Sequence, residues 1–184
     1  PGDSDGDTLL DHVPVTDLNI GIISSDMGTA GYAVPTCANP AFGDNGCFRN
    51  TPNPGVAGCS ATYPSFLSRS EVNADDYTLE EMAHDFACLA TLGTSGCGFE
   101  QSLKAMRQAV VDNPAAGACN SGFLRPDSFL LLLWVTDDDD CSVRDDHPEI
   151  FDLERDEFGP PNLRCVSHPE FLQPIGEIYD ALAA

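Results

Sequence analysis

The chain has 184 residues, 42% of them hydrophobic and 21% charged, which is enough length and apolar content for a buried core. Its 30 acidic residues outnumber 8 basic ones and give a formal net charge of -22. Nucleic acids and anionic membrane surfaces bind through Lys and Arg, so neither is expected as a partner, and no apolar run is long enough to span a bilayer.

Residues 1–16 form an acidic connector that resembles a calcium loop of the Asp-x-Asp-Gly-Asp type. Its candidate ligands are Asp3, Asp5, Asp7 and Asp11. Thr8 stands where such loops usually have Gly, and no Glu follows at the closing position. A flexible connector is therefore the alternative to an ordered calcium site.

Residues 17–23 alternate around Leu18, Ile20 and Ile22, and this period of two predicts a strand. The next stretch, 29–76, is rich in Gly, Pro, Asn, Ser and Cys and has no sustained periodicity. So long a loop is uncommon in a compact domain unless it is functional or cross-linked. Three of the cysteines lie in it, which favours cross-linking.

Helices are predicted in three places. Thr78-x-x-Glu81 is a capping box, so a helix begins there and ends near Gly93. A second helix begins near Phe99 and ends by Pro114. A last amphipathic helix covers about 171–182.

Phe129–Val135 is a continuous apolar run, the pattern of a strand buried on both faces of a parallel sheet. Strand, helices, buried strand and helix, in this order, predict an α/β fold. Two strands are too few for a stable doubly wound sheet. The sequence therefore predicts sheet partners from outside these residues, either an upstream segment of the same protein or a neighbouring subunit.

The cysteines are even in number and include no Cys-x-x-Cys pair, which favours disulfides made in an oxidising compartment over a zinc site or free thiols. They are Cys37, Cys47, Cys59, Cys88, Cys97, Cys119, Cys141 and Cys165. Short loop length favours three pairings: Cys47 with Cys37 or Cys59, Cys88 with Cys97, and Cys141 with Cys165. Sequence alone does not choose among the pairings.

Four aspartates, Asp137–Asp140, follow the apolar run. Ligands of open parallel sheets bind outside the carboxyl ends of strands, and clustered carboxylates suit hard cations such as Mg²⁺ or Ca²⁺. A solvated acidic turn is the alternative.

Three stretches, 17–28, 86–101 and 127–142, resemble von Willebrand factor A-like domains of exported proteins, often lipoproteins, from myxobacteria and their relatives. The similar motifs are Ser-Asp-Met-Gly, Gly-Cys-Gly-Phe-Glu-Gln and Val-Thr-Asp-Asp-Asp-Asp-Cys-Ser. The resemblance implies that residues 1–184 are the central part of one such domain. It implies a doubly wound, mostly parallel sheet with flanking helices, incomplete at both ends, with a disulfide-stapled loop insertion.

The same resemblance implies an adhesion-type metal site with Thr94, Asp137 and Asp139 as ligands. The Asp-x-Ser-x-Ser loop of that site has no match here, and the family pattern places it upstream of Pro1. The site is therefore expected to be incomplete within this chain, and a lipid anchor ahead of Pro1 is compatible with the pattern.

The expected function is a non-enzymatic, periplasmic, outer-membrane-associated or extracellular module that binds a protein partner with the help of a divalent cation. One alternative is a structural subunit of a cell-envelope assembly that uses residues 29–70 as its contact surface. A second is a metal-assisted hydrolase, although the four histidines are dispersed and no Gly-x-Ser-x-Gly elbow is present.

Overall fold

Two short strands pair in antiparallel register: β1 (Leu18–Ile20) and β2 (Leu67–Arg69), with Asn19 opposite Ser68. The computed structural model describes residue 15 and residues 17–183. Across these residues the sheet has two strands, so the predicted von Willebrand factor A-like fold with a doubly wound parallel sheet is wrong. The strand predicted over 17–23 is shorter than expected, and β2 lies inside the stretch expected to be a loop.

The predicted buried strand over Phe129–Val135 is also wrong. This stretch belongs to no sheet, and most of its side chains are exposed. A sheet strand needs backbone partners along its edges, and no described residue makes a backbone hydrogen bond to residues 129–135. The apolar composition therefore identified a segment whose side chains favour burial, but it did not identify the partner that would bury them.

The first helix, α1 (Leu79–Ala90), begins where the capping box predicted. The Thr78 hydroxyl accepts from the backbone N–H of Glu81, and the Glu81 carboxylate accepts from the backbone N–H of Thr78. The latter hydrogen bond lowers the pKa of the Glu81 carboxyl. Met82 and Leu89 are buried, so α1 presents its apolar face to the sheet.

The second helix, α2 (Ser102–Arg107), begins three residues later than expected and continues into a π-helical turn, Gln108–Asp112. Two more helices follow near the end of the described chain, α3 (Arg164–Ser167) and α4 (Ile175–Ala183). Single 3₁₀ turns lie at Pro148–Phe151, Asp156–Phe158, Pro161–Leu163 and Pro169–Phe171. Among the helices described, none has the length and apolar character needed to cross a membrane.

Two apolar clusters form the core. The smaller one joins the sheet to α1 and contains Leu67, Met82 and Leu89. The larger one contains Phe99, Cys141, Val143, Ile150, Phe151 and Cys165. It is therefore built from the loop before α2, the segment after the acidic turn, and the 3₁₀-rich stretch near the C-terminal end.

Four disulfides cross-link the described chain: Cys37–Cys97, Cys47–Cys119, Cys59–Cys88 and Cys141–Cys165. The predicted Cys141–Cys165 pair is confirmed, whereas the other short-loop pairings are wrong. Each cysteine of the 29–76 loop instead pairs with a partner outside it, up to 72 residues away. Loops of these lengths contribute about 3–5 kcal/mol each to stability in the chain-entropy model.

Arg164 lies beside Cys165 and is 2% exposed. Its guanidinium donates hydrogen bonds to four carbonyl oxygens, those of Ile150, Asp152, Arg155 and Gly159. The buried charge is thus satisfied by backbone dipoles, and the 3₁₀-rich stretch folds around it. This arrangement fixes the position from which Cys165 reaches Cys141.

Candidate interaction site

The three stretches that carry the family resemblance meet at one buried side chain, that of Gln101. Its exposure is 1%, and its Nε2 donates to the carbonyl of Gly28 at 2.8 Å. Its Oε1 accepts from the N–H of Val143 at 3.4 Å. The backbone N–H of Gln101 donates to the carbonyl of Ser25 at 2.9 Å. The N–H of Cys141 donates to the carbonyl of the preceding residue, Glu100, at 2.7 Å. We call these contacts the Gln101 junction.

The loop on the first side of the junction depends on a glycine. Gly28 has φ of 70°, and a Cβ there would lie 2.8 Å from the backbone N atoms of Phe42 and Gly43. The Asp26 carboxylate accepts from the N–H of Gly28 at 2.9 Å, which closes the turn. Cys37–Cys97 then ties the 29–76 loop to the segment that leads into Gln101.

The last aspartate of the acidic turn caps α2 from a distant part of the sequence. Asp140 Oδ1 accepts from the N–H of Leu103 at 2.9 Å, and Ser142 Oγ accepts from the N–H of Lys104 at 2.8 Å. Asp140 also accepts from the backbone N–H and the hydroxyl of Ser142. A carboxylate at a helix N-terminus satisfies free N–H groups and interacts favourably with the helix dipole. Asp140 therefore has a structural role.

The other three aspartates, Asp137–Asp139, are exposed. Thr136 at the start of this turn lies 3.4 Å from Glu100 Oε2 and from the N–H of Asp138. Thr94, the other predicted ligand, is exposed and makes no side-chain hydrogen bond to a described residue. Among the described residues, no hydrogen bond links Thr94 to Asp137 or Asp139.

Among the described residues, the acidic turn holds no close group of three Asp, Glu, His or Cys side chains. Within the described ranges, a close group of three Asp, Glu, His or Cys side chains occurs once, at Asp26, Cys37 and Cys97. The two cysteines form a disulfide and offer no thiolate, so this group does not fit a metal ion. Neither Asp137 nor Asp139 belongs to such a group. The predicted calcium-loop residues, Asp3, Asp5, Asp7 and Asp11, lie outside the described residues.

The seven residues Phe129–Val135, which we call the apolar segment, lie outside helix and sheet, and six of the seven are exposed. The odd-numbered side chains are 79–103% exposed, while Leu130 and Trp134 are 44% and 43% exposed and Leu132 is partly buried. This alternation is that of a strand with one face turned toward the protein and the other toward solvent. Both faces are apolar, whereas the solvent face of a half-covered strand is usually polar.

The chain is anchored on both sides of the apolar segment. Before it, the carbonyl of Phe123 accepts from Asn19 Nδ2 in β1 at 2.8 Å, and Arg125 forms an ion pair with Asp17. The Phe123 ring packs 4.5 Å from that of Phe48, centroid to centroid. After it, Cys141 enters the Gln101 junction. The segment therefore runs between two fixed points of the fold.

Comparison with known proteins does not identify a relative: no protein-family model, no curated protein and no solved structure matches the chain. The resemblance in sequence motifs therefore remains a resemblance. The four disulfides do establish the environment, because such cross-links persist in oxidising compartments, and the chain is accordingly an exported one.

Several residues that position the site were not singled out from the sequence. Gln101 lies in a motif of the resemblance that gives it no role. Asn120 is fully buried, accepts from the N–H of Phe48, and donates to the carbonyls of Gly46 and Ala109. Their partners are backbone atoms from distant segments, so no local pattern in the sequence predicts these bonds.

Proposed function

We propose that the chain is a non-enzymatic module that binds another protein in the periplasm or outside the cell, and that the apolar segment is its contact surface. The observation that carries this proposal is a run of seven consecutive apolar residues, six of them exposed, on a fold cross-linked by four disulfides. Contiguous apolar patches on soluble proteins commonly mark interaction sites.

The free energy gained by burying the outward apolar side chains is large enough to contribute substantially to binding. Covering the four outward side chains, Phe129, Leu131, Leu133 and Val135, contributes about 1.5–3 kcal/mol for each, or roughly 6–12 kcal/mol in all. Association itself costs about 4–15 kcal/mol in lost freedom. The apolar contacts thus offset most of that cost, and the remaining affinity has to come from other groups around the segment.

The structural-subunit alternative assigns the contact to residues 29–70. Three disulfides and the hydrogen bond from Gly98 N to Thr36 Oγ1 tie this stretch to the rest of the protein. It therefore has a role within the fold, as a brace for the loops around the Gln101 junction. The apolar segment has no comparable internal role, which is why we place the contact there.

Site-specific photocrosslinking tests the proposal. A benzophenone amino acid is placed at Leu131 in the apolar segment, at Thr62 in the stapled loop, and at Val72, an isolated apolar residue that is 96% exposed. In cells that export the protein, Leu131 should give one discrete adduct and Val72 none. An adduct from Thr62 alone would favour the structural subunit, and equal labelling at all positions would contradict a defined contact surface.

The same experiment tests the cation prediction. The crosslink from Leu131 is measured with calcium and magnesium present and after chelation. Loss of the adduct on chelation, reproduced by Asp137→Ala or Thr94→Ala, would support a metal-dependent contact. An adduct that survives chelation assigns the binding to the apolar segment without a metal.

A further inference from the structure

We infer that the apolar segment binds by strand addition, with an extended strand of another polypeptide that has apolar side chains at alternate positions and Lys or Arg where it passes Asp137–Asp139. This inference rests on the proposed protein-binding function and names the chemistry of the partner.

The backbone of the apolar segment argues for a strand. Within the part of the chain that the structure describes, no N–H or C=O group of residues 129–135 pairs with another backbone group. A helix or a globular apolar face would cover the side chains and leave these groups buried and unpaired, at about 1–3 kcal/mol each. An added strand satisfies them, since alternate groups along its own edge point toward the segment.

The exposure pattern is the one that strand addition requires. Exposure alternates with period two, and the chain is anchored before the segment at Phe123 and after it at Cys141, which lowers the ordering entropy that pairing must overcome. Seven extended residues span roughly 23 Å, which matches a strand of ordinary length. The surrounding contacts thus present an open strand edge that is preorganised.

Charge selects the partner. Three exposed aspartates follow the segment, Glu100 lies beside Thr136, and Arg125 at the other end is paired with Asp17. A strand with basic residues beside the aspartates lowers the repulsion among these carboxylates, whereas an acidic strand raises it. A second copy of the chain also carries a net charge of -22, so a homotypic pair would add like charges. We therefore assign the occupant to a different, basic-ended polypeptide.

Synthetic peptides and the intrinsic fluorescence of Trp134, the single tryptophan of the chain, test this inference. The probes are two nine-residue peptides with alternating Val and Thr, one with two Lys at its N-terminal end and one with them at its C-terminal end. Matched controls replace both Lys by Glu, or N-methylate alternate backbone amides along one edge. Binding should shift the Trp134 emission to shorter wavelength.

One Lys orientation should bind at least about tenfold more tightly than its Glu counterpart at low salt, with the ratio falling as salt rises. Each N-methylated peptide has one hydrogen-bonding edge blocked, and the version blocked on the pairing edge should not bind. If both N-methylated versions bind as well as the parent peptide, or if no peptide binds, strand addition is wrong.

Variants of the chain separate the explanations. Leu131→Pro removes an N–H that has no partner in the free protein, so it should leave the unfolding midpoint unchanged and abolish peptide binding. Val72→Asp, outside the segment, should leave both unchanged. If the chain is dimeric and Leu131→Pro makes it monomeric, a second copy is the occupant and the inference is overturned. A Leu131 photocrosslink that persists while all peptides fail would overturn strand addition and retain the proposed function.

Discussion

The Gln101 junction and the apolar segment are adjacent in the fold and opposite in character. At the junction the side-chain amide of Gln101 is almost fully buried and makes two hydrogen bonds, one to Gly28 and one to Val143, in two distant segments. In the segment six of the seven apolar residues are exposed, and none of its backbone groups pairs with the backbone of another described residue. The usual distribution, apolar inside and polar outside, is therefore reversed at both places.

The difference separates what the fold completes by itself from what it leaves for a partner. Burial of Gln101 is tolerated because each of its polar groups has a partner within the chain. Exposure of the apolar segment does not stabilise the fold. The chain is nevertheless anchored on both sides of the segment. Stability and binding are thus assigned to neighbouring residues that can be altered separately.

Hydrogen exchange should show the largest difference. The backbone amides of Gln101 and Cys141 donate to the carbonyls of Ser25 and Glu100, so they exchange only when the junction opens. The amides of Leu131 and Leu133 have no such bond. An opening free energy of about 4 kcal/mol at the junction corresponds to exchange about a thousandfold slower than in the segment. The measurement is peptide-resolved exchange by mass spectrometry, and equal protection in the two regions would contradict the comparison.

A reciprocal pair of substitutions should give the next largest difference. Gln101→Met leaves the carbonyl of Gly28 and the N–H of Val143 buried without this partner, at a cost of about 2–4 kcal/mol in unfolding free energy. Leu131→Gln makes the reverse exchange in the apolar segment and should change stability by less than about 0.5 kcal/mol. Urea unfolding with disulfides intact measures both, and the slope with urea should be the same in each. Similar midpoints for the two variants would show that the junction does not stabilise the fold.

The sequence predicted features that local chemistry determines. The start of α1 was correct because Thr78 and Glu81 satisfy each other three residues apart. The exported environment was correct because cysteine number and spacing report the redox compartment. Cys141–Cys165 was correct because its 24-residue loop is short, whereas the same argument failed for Cys47, whose partner lies 72 residues away.

The sequence did not predict features that depend on distant segments. Phe129–Val135 has the composition of a buried strand, but burial requires a neighbouring strand, and none of the described residues supplies one. From the sequence the four aspartates form one group, either a cation site or a solvated acidic turn. Their separate roles become visible only when Leu103 and Lys104 are placed beside Asp140 and Ser142. The acidic turn, Asp137–Asp140, therefore contains residues of both the Gln101 junction and the binding surface. Substitutions within it give the most specific test of where the two regions meet.

Asp140 and Asp139 are neighbours in the acidic turn, and we expect the smallest difference between their substitutions. Asp140→Ala removes the acceptor for the N–H of Leu103 at the start of α2 and for the N–H of Ser142 after the acidic turn, which should cost about 1–2 kcal/mol in unfolding free energy. Asp139→Ala removes one exposed like charge and should leave stability unchanged or slightly increased, with any increase disappearing as salt rises. Urea midpoints at low and high salt, with and without calcium, measure both effects. A calcium-dependent rise in the midpoint that Asp139→Ala abolishes would place a cation at the turn and move Asp139 from the binding surface into the folded framework.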